Sequence, residues 1–180
     1  IRRQRQMCIR DSSMYMGLRI GEVCALQWKE IDLEKRVLTV SKTIQRVQCR
    51  TGSKQTKLII TEPKSESSKR TIPIPDCLLP LLRRFKDNGE VYVVSGRKKP
   101  VEPRTMQYRF AKILHNADLP SFHYHSLRHL FATRCVELGF DVKTLSEILG
   151  HSSVEVTLNR YIHSDMERKR TCMSLLSKCA

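Results

Sequence analysis

The sequence predicts an α+β fold that is mostly helical and carries one small antiparallel sheet. Apolar residues recur at helical spacing over most of the 180 residues. Between residues 37 and 74 this spacing gives way to short β-branched runs separated by polar turns. With 40% hydrophobic residues, the chain is long enough to bury the core of one domain.

Two short helices are predicted at the start of the chain. The first covers the first sixteen residues and is interrupted at Gly17, and the second covers residues 20 to 28. Arg19 and Glu22, three residues apart, would share the polar face of the second helix. Its predicted apolar face consists of Ile20, Val23 and Cys24.

The predicted sheet lies in the middle of the chain. Its strands are expected at residues 37 to 40, 43 to 44, 57 to 60 and 71 to 74, where β-branched residues cluster. The hairpins between them are strongly basic, because residues 42 to 70 contain eight Lys or Arg and two Glu. Basic hairpins of this kind suit contact with a phosphate backbone.

The rest of the chain is predicted to be mainly helical. Asp76 is expected to cap a helix that runs to about Asn88, and a short strand follows at residues 92 to 94. Pro103 is well placed to open the next helix, since proline is preferred at the first helical position. The later helices are broken at Gly139 and Gly150.

Charge and cysteine content narrow the class of protein. Thirty-three Lys and Arg against eighteen Asp and Glu leave a net charge of +15, which indicates a polyanionic partner such as nucleic acid. Seven cysteines without a Cys-x-x-Cys pair are typical of reduced thiols in a cytosolic protein. Because no apolar run approaches the roughly 18 to 20 residues of a membrane span, we expect a soluble protein.

A set of polar residues in the C-terminal half is suited to attack on a phosphodiester. His125 and Arg128 lie three residues apart on a predicted helix, so both can face one phosphate. Tyr161 needs nearby cations to act as a nucleophile, because a free phenol has a pKa near 10. Singly, each of these residues, and His151 with them, is more often a core or surface residue. Their conjunction in a basic chain favours a DNA-cleaving site.

Four motifs carry a family resemblance. GLRIGE at residues 17 to 22, HSLRHLFAT at 125 to 133, LGHSS at 149 to 153 and NRYIH at 159 to 163 resemble the signature boxes of the tyrosine recombinases. The integrases of phages and conjugative transposons are the most similar branch. The resemblance implies that residues 1 to 180 are the family's catalytic domain, mostly helical with an antiparallel three-stranded sheet, and that the N-terminal core-binding domain is absent from this chain.

The resemblance also implies roles for five residues. Arg19 and Arg128 match the two arginines that hold the non-bridging oxygens of the scissile phosphate, for which the planar guanidinium is well shaped. His125 matches a histidine that exchanges a proton with the tyrosine, and His151 matches a residue that donates a hydrogen bond to the phosphate. Tyr161 matches the nucleophile, which forms a 3′-phosphotyrosyl bond and releases a 5′-hydroxyl.

Further roles follow from the same resemblance. Lys64 resembles the hairpin lysine that protonates the leaving 5′ oxygen, although Lys57 and Lys69 lie in the same sheet and remain alternatives. Glu22 resembles the acidic residue that orients the site; the alternative is a plain ion pair with Arg19. The residues predicted to contact DNA outside the active site are Lys69, Arg70 and Arg104.

The resulting hypothesis is a site-specific recombinase of a mobile genetic element that cleaves and rejoins double-stranded DNA without metal, ATP or another cofactor. The resemblance further implies a homotetramer on DNA for the full-length protein, in the bacterial cytoplasm at the nucleoid. A non-catalytic DNA-binding module of the same fold and an enzyme similar to type IB topoisomerases are the alternatives.

A metal hydrolase is the rival from another class. His123, His125 and His129 cluster, and the last two have the i, i+4 spacing of helical zinc ligands. The residues between them, Ser126, Leu127 and Arg128, lack the glutamate of a His-Glu-x-x-His motif, and the charge of Arg128 would repel a metal ion. No metal site is therefore predicted.

Overall fold

The computed structural model describes residues 14–48, 56–63, 65–87 and 89–161, together with residues 166, 169, 170, 173 and 174. Most of the predicted N-terminal helix lies outside these residues. Within them the fold is largely helical with small antiparallel sheets, as the sequence predicts. None of the described helices is long and apolar enough to cross a membrane. The helices are α1 (Ile20–Ala25), α2 (Leu79–Phe85), α3 (Pro103–Asn116), α4 (Ser126–Glu137), α5 (Val142–Leu149) and α6 (Val154–Tyr161).

The strands form a three-stranded sheet and a separate hairpin. In the sheet, β2 lies between β1 and β5, and Leu38 of β2 is paired with Ile31 on one side and Ile72 on the other. The basic hairpin consists of β3 and β4 alone, paired from Thr43 with Thr61 to Gln48 with Thr56. The strand bounds are β1 (Ile31–Asp32), β2 (Val37–Val40), β3 (Thr43–Gln48), β4 (Thr56–Thr61) and β5 (Arg70–Pro73).

Two predicted elements differ in the structure. Tyr92, expected in a strand, forms only isolated bridges with Gln27 and Arg97, so the segment is a turn packed against the chain that follows α1. Asp76 opens a 3-10 helix and binds Arg36 at 3.0 Å instead of capping a long helix. That helix, α2, ends at Phe85.

Two groups of buried side chains make up the core. The larger group joins α1, the three-stranded sheet, α2 and α3, and includes Leu38, Ile72 and Phe110. The smaller group lies between α4 and α5, where Tyr161 packs against it from α6. Gly17 lies at the boundary with a φ of +62°, and a side chain there would collide with Phe131 of α4. This close contact brings the N-terminal segment against α4 and α5.

Candidate active site

The C-terminal end of α5 is where the arginines of the site meet. The carbonyl oxygens of residues 148 to 150 each accept a hydrogen bond from a different guanidinium: Nε of Arg70 at 2.6 Å, Nη2 of Arg128 at 2.7 Å and Nη2 of Arg19 at 2.9 Å. The last carbonyls of a helix have no partner within the helix and carry the negative end of its dipole. They therefore stabilise three neighbouring cations.

Arg128 is the most deeply buried of the three arginines. Its side chain extends from α4, the residue is 2% exposed, and Nη1 also donates to the carbonyl of Gly17 at 2.8 Å. Burial, followed by the nearby charge of Arg19, lowers the pKa of Arg128 to about 9. An arginine keeps its proton at neutral pH, so Arg128 is a buried cation with a second cation, Arg19, nearby, and a bound anion would stabilise both charges.

Arg19 lies at the start of α1, where Glu22 holds it. The Glu22 carboxylate accepts from the backbone N–H of Arg19 at 2.8 Å and from its Nη1 at 2.9 Å. The Arg19 side chain remains 36% exposed, so part of its guanidinium faces solvent. Glu22 is thus both an ion-pair partner of Arg19, as the alternative interpretation held, and a buried anchor for it, since its side chain is 4% exposed.

Arg70 is not placed to contact DNA. Its side chain is 6% exposed and forms a two-bond ion pair with Glu22, at 3.0 Å and 2.9 Å. Along β5, residues alternate between the buried and exposed faces, and Arg70 falls on the buried face with Ile72. The prediction of a DNA contact at Arg70 does not fit this geometry, because its guanidinium is engaged inside the protein.

The other predicted DNA contacts lie at the surface. Lys69, which directly precedes β5, is half exposed and pairs with Glu62 at 2.6 Å. Arg104 is exposed in the first turn of α3. Lys64, the predicted general acid, lies outside the described residues.

His151 follows the end of α5 and lies beside the arginines. Its Nδ1 is 2.8 Å from the hydroxyl of Thr157, a fully buried residue of α6. Burial, followed by the charges of Arg128 and Arg19, lowers the pKa of His151 to about 4. The imidazole is therefore neutral at physiological pH, and when Nδ1 accepts from Thr157 its Nε2 carries the proton for a hydrogen bond.

His125, at the N-cap of α4, stands at the other side of the site. Partial desolvation lowers the pKa of His125, and the positive charges of His129, Arg128, Arg160 and Arg19 add to the effect. Its ring meets that of His129 edge to face, with 4.7 Å between centroids. A neutral imidazole in this position can accept a proton from a nearby phenol.

The Tyr161 ring lies between two histidines. It stacks nearly parallel to His151, with 6.4 Å between centroids and 5° between planes, and it is tilted against His129 at 5.6 Å. The Tyr161 hydroxyl is buried and has no hydrogen-bond partner among the described residues. An unpaired buried hydroxyl is energetically costly. The phenol can therefore leave this position at a small cost in free energy.

The structure thus brings together Arg19, Glu22, Arg128, His151 and Tyr161, with His125 at the edge. Two guanidiniums, a neutral imidazole donor and a phenol in such a cluster can bind a tetrahedral anion and neutralise its charge. The described residues contain no group of three or more His, Cys, Asp or Glu with the geometry of a metal site.

Three features of the site were not found from sequence. The burial of Arg70 could have been read from the alternation along β5, which places Arg70 on the same face as the apolar Ile72. Thr157 precedes Tyr161 by four residues, a spacing that puts both on one helix face. No simple sequence pattern indicated the contact of His129 with Tyr161.

The chain is similar in sequence to known proteins of one family. Residues 3–168 match the sequence model of the phage integrase family. A XerC-like tyrosine recombinase of Caldanaerobacter subterraneus is 33% identical over 180 residues, which cover 89% of this chain and 46% of that protein. The ICEBs1 integrase of Bacillus subtilis is 29% identical over 160 residues, covering 82% of this chain and 42% of that protein. The chain thus spans about half the length of the curated relatives it matches.

A solved structure supports the fold. The integrase of transposon Tn1549, determined in complex with transposon right end DNA, superposes on this chain with a TM-score of 0.74 at 27% identity. The superposition covers 97% of this chain and 59% of that chain. The overall fold is therefore shared with an integrase whose structure was determined in complex with DNA.

Proposed function

The chain belongs to the phage integrase family, and from that premise we propose that it is the catalytic domain of a site-specific DNA recombinase that cleaves and rejoins DNA through Tyr161. The observation that carries the proposal is the convergence of Arg19 and Arg128 on neighbouring carbonyl groups beside His151 and Tyr161. A family resemblance alone would not require these side chains to share one pocket.

The cleavage step uses the groups in the following order. The Tyr161 oxygen attacks the scissile phosphorus, its proton passes to neutral His125, and the bond to the 5′ oxygen breaks. Lys64 donates a proton to that oxygen, which leaves as a 5′-hydroxyl. The DNA 3′ end stays joined to Tyr161, and attack by a 5′-hydroxyl reverses the step with no need for ATP.

Charge on the phosphate is the main barrier to this step, because phosphoryl transfer depends on positioning and neutralisation. Arg19 and Arg128 each retain N–H donors beyond those used for carbonyl groups, since a guanidinium has five. Neutral His151 adds a hydrogen bond from Nε2. These donors supply positive charge without a divalent ion, so the proposed reaction includes none.

Tyr161 must move before it attacks. Its hydroxyl is buried, whereas a phosphate approaches from the exposed side of Arg19. Because the Tyr161 hydroxyl has no hydrogen bond to break among the described residues, its movement costs little free energy. We infer that DNA binding draws the hydroxyl toward the arginines.

The proposed partner is double-stranded DNA. The net charge of +15 and the exposed Lys69 and Arg104 favour a polyanion. We further propose that residues 1–180 form one catalytic domain, that a core-binding domain completes the DNA clamp in the complete protein, and that four copies assemble on DNA at the nucleoid of the bacterial cytoplasm. The match to half the length of longer recombinases supports the division into domains.

A covalent-adduct assay tests the function. The binding site is first selected from random duplexes with the complete protein, and a nicked suicide substrate carrying that site is then incubated with it. We expect an SDS-resistant protein–DNA adduct from the wild type and none from Tyr161→Phe. Tyr15→Phe, at an exposed tyrosine that lines a cleft with Leu78 and Leu81, is the matched control and should form the adduct.

The same assay separates the alternatives. Tight DNA binding without any adduct from the wild type would favour a non-catalytic binding module. Relaxation of a supercoiled plasmid that lacks the selected site would favour an enzyme of the topoisomerase type.

A further inference from the structure

We propose that Arg70 is a positioning residue for DNA cleavage: held between Glu22 and the end of α5, its guanidinium fixes the orientation in which Arg19 meets the phosphate. This inference rests on the proposed function, because it assigns Arg70 a part in that reaction. Arg70 itself does not touch DNA, since its side chain is 6% exposed.

Arg70 joins three segments that are distant in sequence. Its Nη1 and Nη2 bind both oxygens of Glu22 in α1, and its Nε donates to the carbonyl of Ile148 at the end of α5. Nη1 also donates to the Ser68 carbonyl at 3.1 Å, next to β5. One planar group thus sets the distance between α1, which carries Arg19, and the helix end that holds the other arginines.

Glu22 transmits this constraint to Arg19. Each carboxylate oxygen accepts two hydrogen bonds, one from Arg19 and one from Arg70: Oε1 from Nη1 of both, and Oε2 from the Arg19 backbone N–H and Arg70 Nη2. A carboxylate held in this way cannot rotate without breaking bonds. Arg19 is then fixed at Nη1, while Nη2 is fixed by the Gly150 carbonyl.

The charge of Arg70 keeps Glu22 ionised. Burial by itself would raise the pKa of Glu22, and the hydrogen bond and charge of Arg70, followed by those of Arg19, hold that pKa below its usual value. Without Arg70 the carboxyl would be buried with one cation fewer, so its pKa would rise and it would take up a proton at higher pH. A protonated Glu22 would bind the Arg19 guanidinium only weakly.

A lysine cannot replace this arrangement fully. An ammonium group can pair with Glu22, but it lacks the flat fork that binds both carboxylate oxygens and a carbonyl group at once. Arg70→Lys should therefore keep the charge and lose part of the positioning. Arg70→Met removes both at similar length.

The experiment measures DNA affinity and, separately, the rate of adduct formation at saturating DNA from acidic to alkaline pH, using the complete protein. For Arg70→Met we expect unchanged affinity and a saturating rate about 100-fold below wild type, as when one preorganised charge contact is lost. Arg70→Lys should recover part of that rate. Arg134→Met, which removes an exposed arginine of α4, is the control and should match wild type.

The pH profile distinguishes positioning from mere structural support. In Arg70→Met, the rate should fall with acidification at a higher pH than in wild type, because Glu22 protonates earlier. The double variant Arg70→Met/Glu22→Gln has no carboxyl to titrate, so the displaced acid limb should disappear. Its saturating rate should be no lower than that of Glu22→Gln alone, since Arg70 acts through Glu22.

Several results would overturn the inference. A fall in DNA affinity that accounts for the whole loss would make Arg70 a DNA contact, and a lower thermal stability with a normal saturating rate would make it only structural. The inference would also be contradicted if the acid side of the pH profile stays displaced in the double variant Arg70→Met/Glu22→Gln. If Arg70→Met does not fold, Arg70→Lys decides instead: a saturating rate equal to wild type would contradict the inference, and a reduced rate at unchanged DNA affinity would support it. Failure of the wild type to form an adduct would instead contradict the proposed function.

Discussion

Arg19 and Arg128 donate to consecutive carbonyl oxygens, those of Gly150 and Leu149, although they are separated by more than a hundred residues in the chain. The helix end therefore serves as a common anchor for both guanidiniums. Each keeps donors for another acceptor, and together they leave an excess of positive charge that lowers the pKa of Arg128 to about 9, after the larger effect of burial. The cluster therefore offers hydrogen-bond donors and positive charge to an anion.

Inorganic phosphate is accordingly expected to stabilise the folded protein. A ligand that binds only the folded state at about 100 times its Kd adds about 2.7 kcal/mol of stability. The midpoint of thermal unfolding should rise with phosphate at constant ionic strength. Arg128→Lys should lose most of this rise, whereas Arg36→Met, which removes an exposed ion pair with Asp76, should keep it. An equal rise in all three proteins would place the anion elsewhere.

His151 should titrate far below an ordinary histidine. Burial and the neighbouring arginines lower its pKa to about 4, from 6.5 in an unfolded chain. As the pH falls from 6.5 to 4, the unfolded state binds the proton first, so the stability that His151 contributes above that range is lost within it. Histidine NMR signals measured against pH should show one midpoint near 4, absent from His151→Gln.

Phosphate provides the internal check on that titration. A bound anion offsets the arginine charges that help to depress the pKa, so the His151 midpoint should move upward when phosphate is added. If the midpoint of the His151 titration does not change when phosphate is added, the anion and His151 do not share a site.

Tyr161→Phe is expected to abolish cleavage without destabilising the fold. The buried hydroxyl has no hydrogen-bond partner among the described residues, so its removal relieves a desolvation cost of about 1 kcal/mol. Urea unfolding should show an equal or higher midpoint for the variant. Tyr15→Phe, with an exposed hydroxyl, should leave the midpoint unchanged. A clear loss of stability in Tyr161→Phe would show that the hydroxyl is paired in the free protein.

The sequence predicted the elements that depend on local pattern. Pro103 begins α3, whose Met106, Phe110 and Leu114 are buried as the helical spacing requires. The left-handed Gly150 ends α5 where the helical pattern breaks. The turn at Tyr92 was mistaken for a strand because its β-branched neighbours are buried by packing, without a partner strand.

The arrangement of charges could not be predicted in the same way. Arg70 and Lys69 are neighbours in a basic segment. The alternation along β5 can place Arg70 on the buried face, but it does not show that Glu22 and the end of α5 are its partners. The burial of Arg70 depends on contacts with Glu22, 48 residues earlier in the chain, and with Ile148, 78 residues later. The motif residues were predictable because their order is itself distinctive, whereas the side chains that support them were not.

Gly150→Ala tests whether the anchor at the end of α5 controls the site. Gly150 has a φ of +65°, and a Cβ there would lie 2.8 Å from Nη1 of Arg70 and 3.0 Å from the Ser67 carbonyl oxygen. The substitution should therefore displace Arg70 and loosen the carbonyl groups that hold Arg19. The left-handed conformation alone costs alanine roughly 1 to 2 kcal/mol. We expect Gly150→Ala to lose more stability than this and to form the adduct more slowly than wild type.

Gly139→Ala is the matched control for that experiment. Gly139 has a φ of +81°, and a Cβ there would meet no atom within 4 Å. It should incur only the conformational cost and retain the wild-type rate of adduct formation under conditions where it is folded. If both glycine variants lose stability equally and cleave equally well, the contact between Gly150 and Arg70 has no influence on the site. A loss of cleavage confined to Gly150→Ala would instead show that the end of α5 orients the arginines, because the two substitutions differ mainly in what the added methyl group touches.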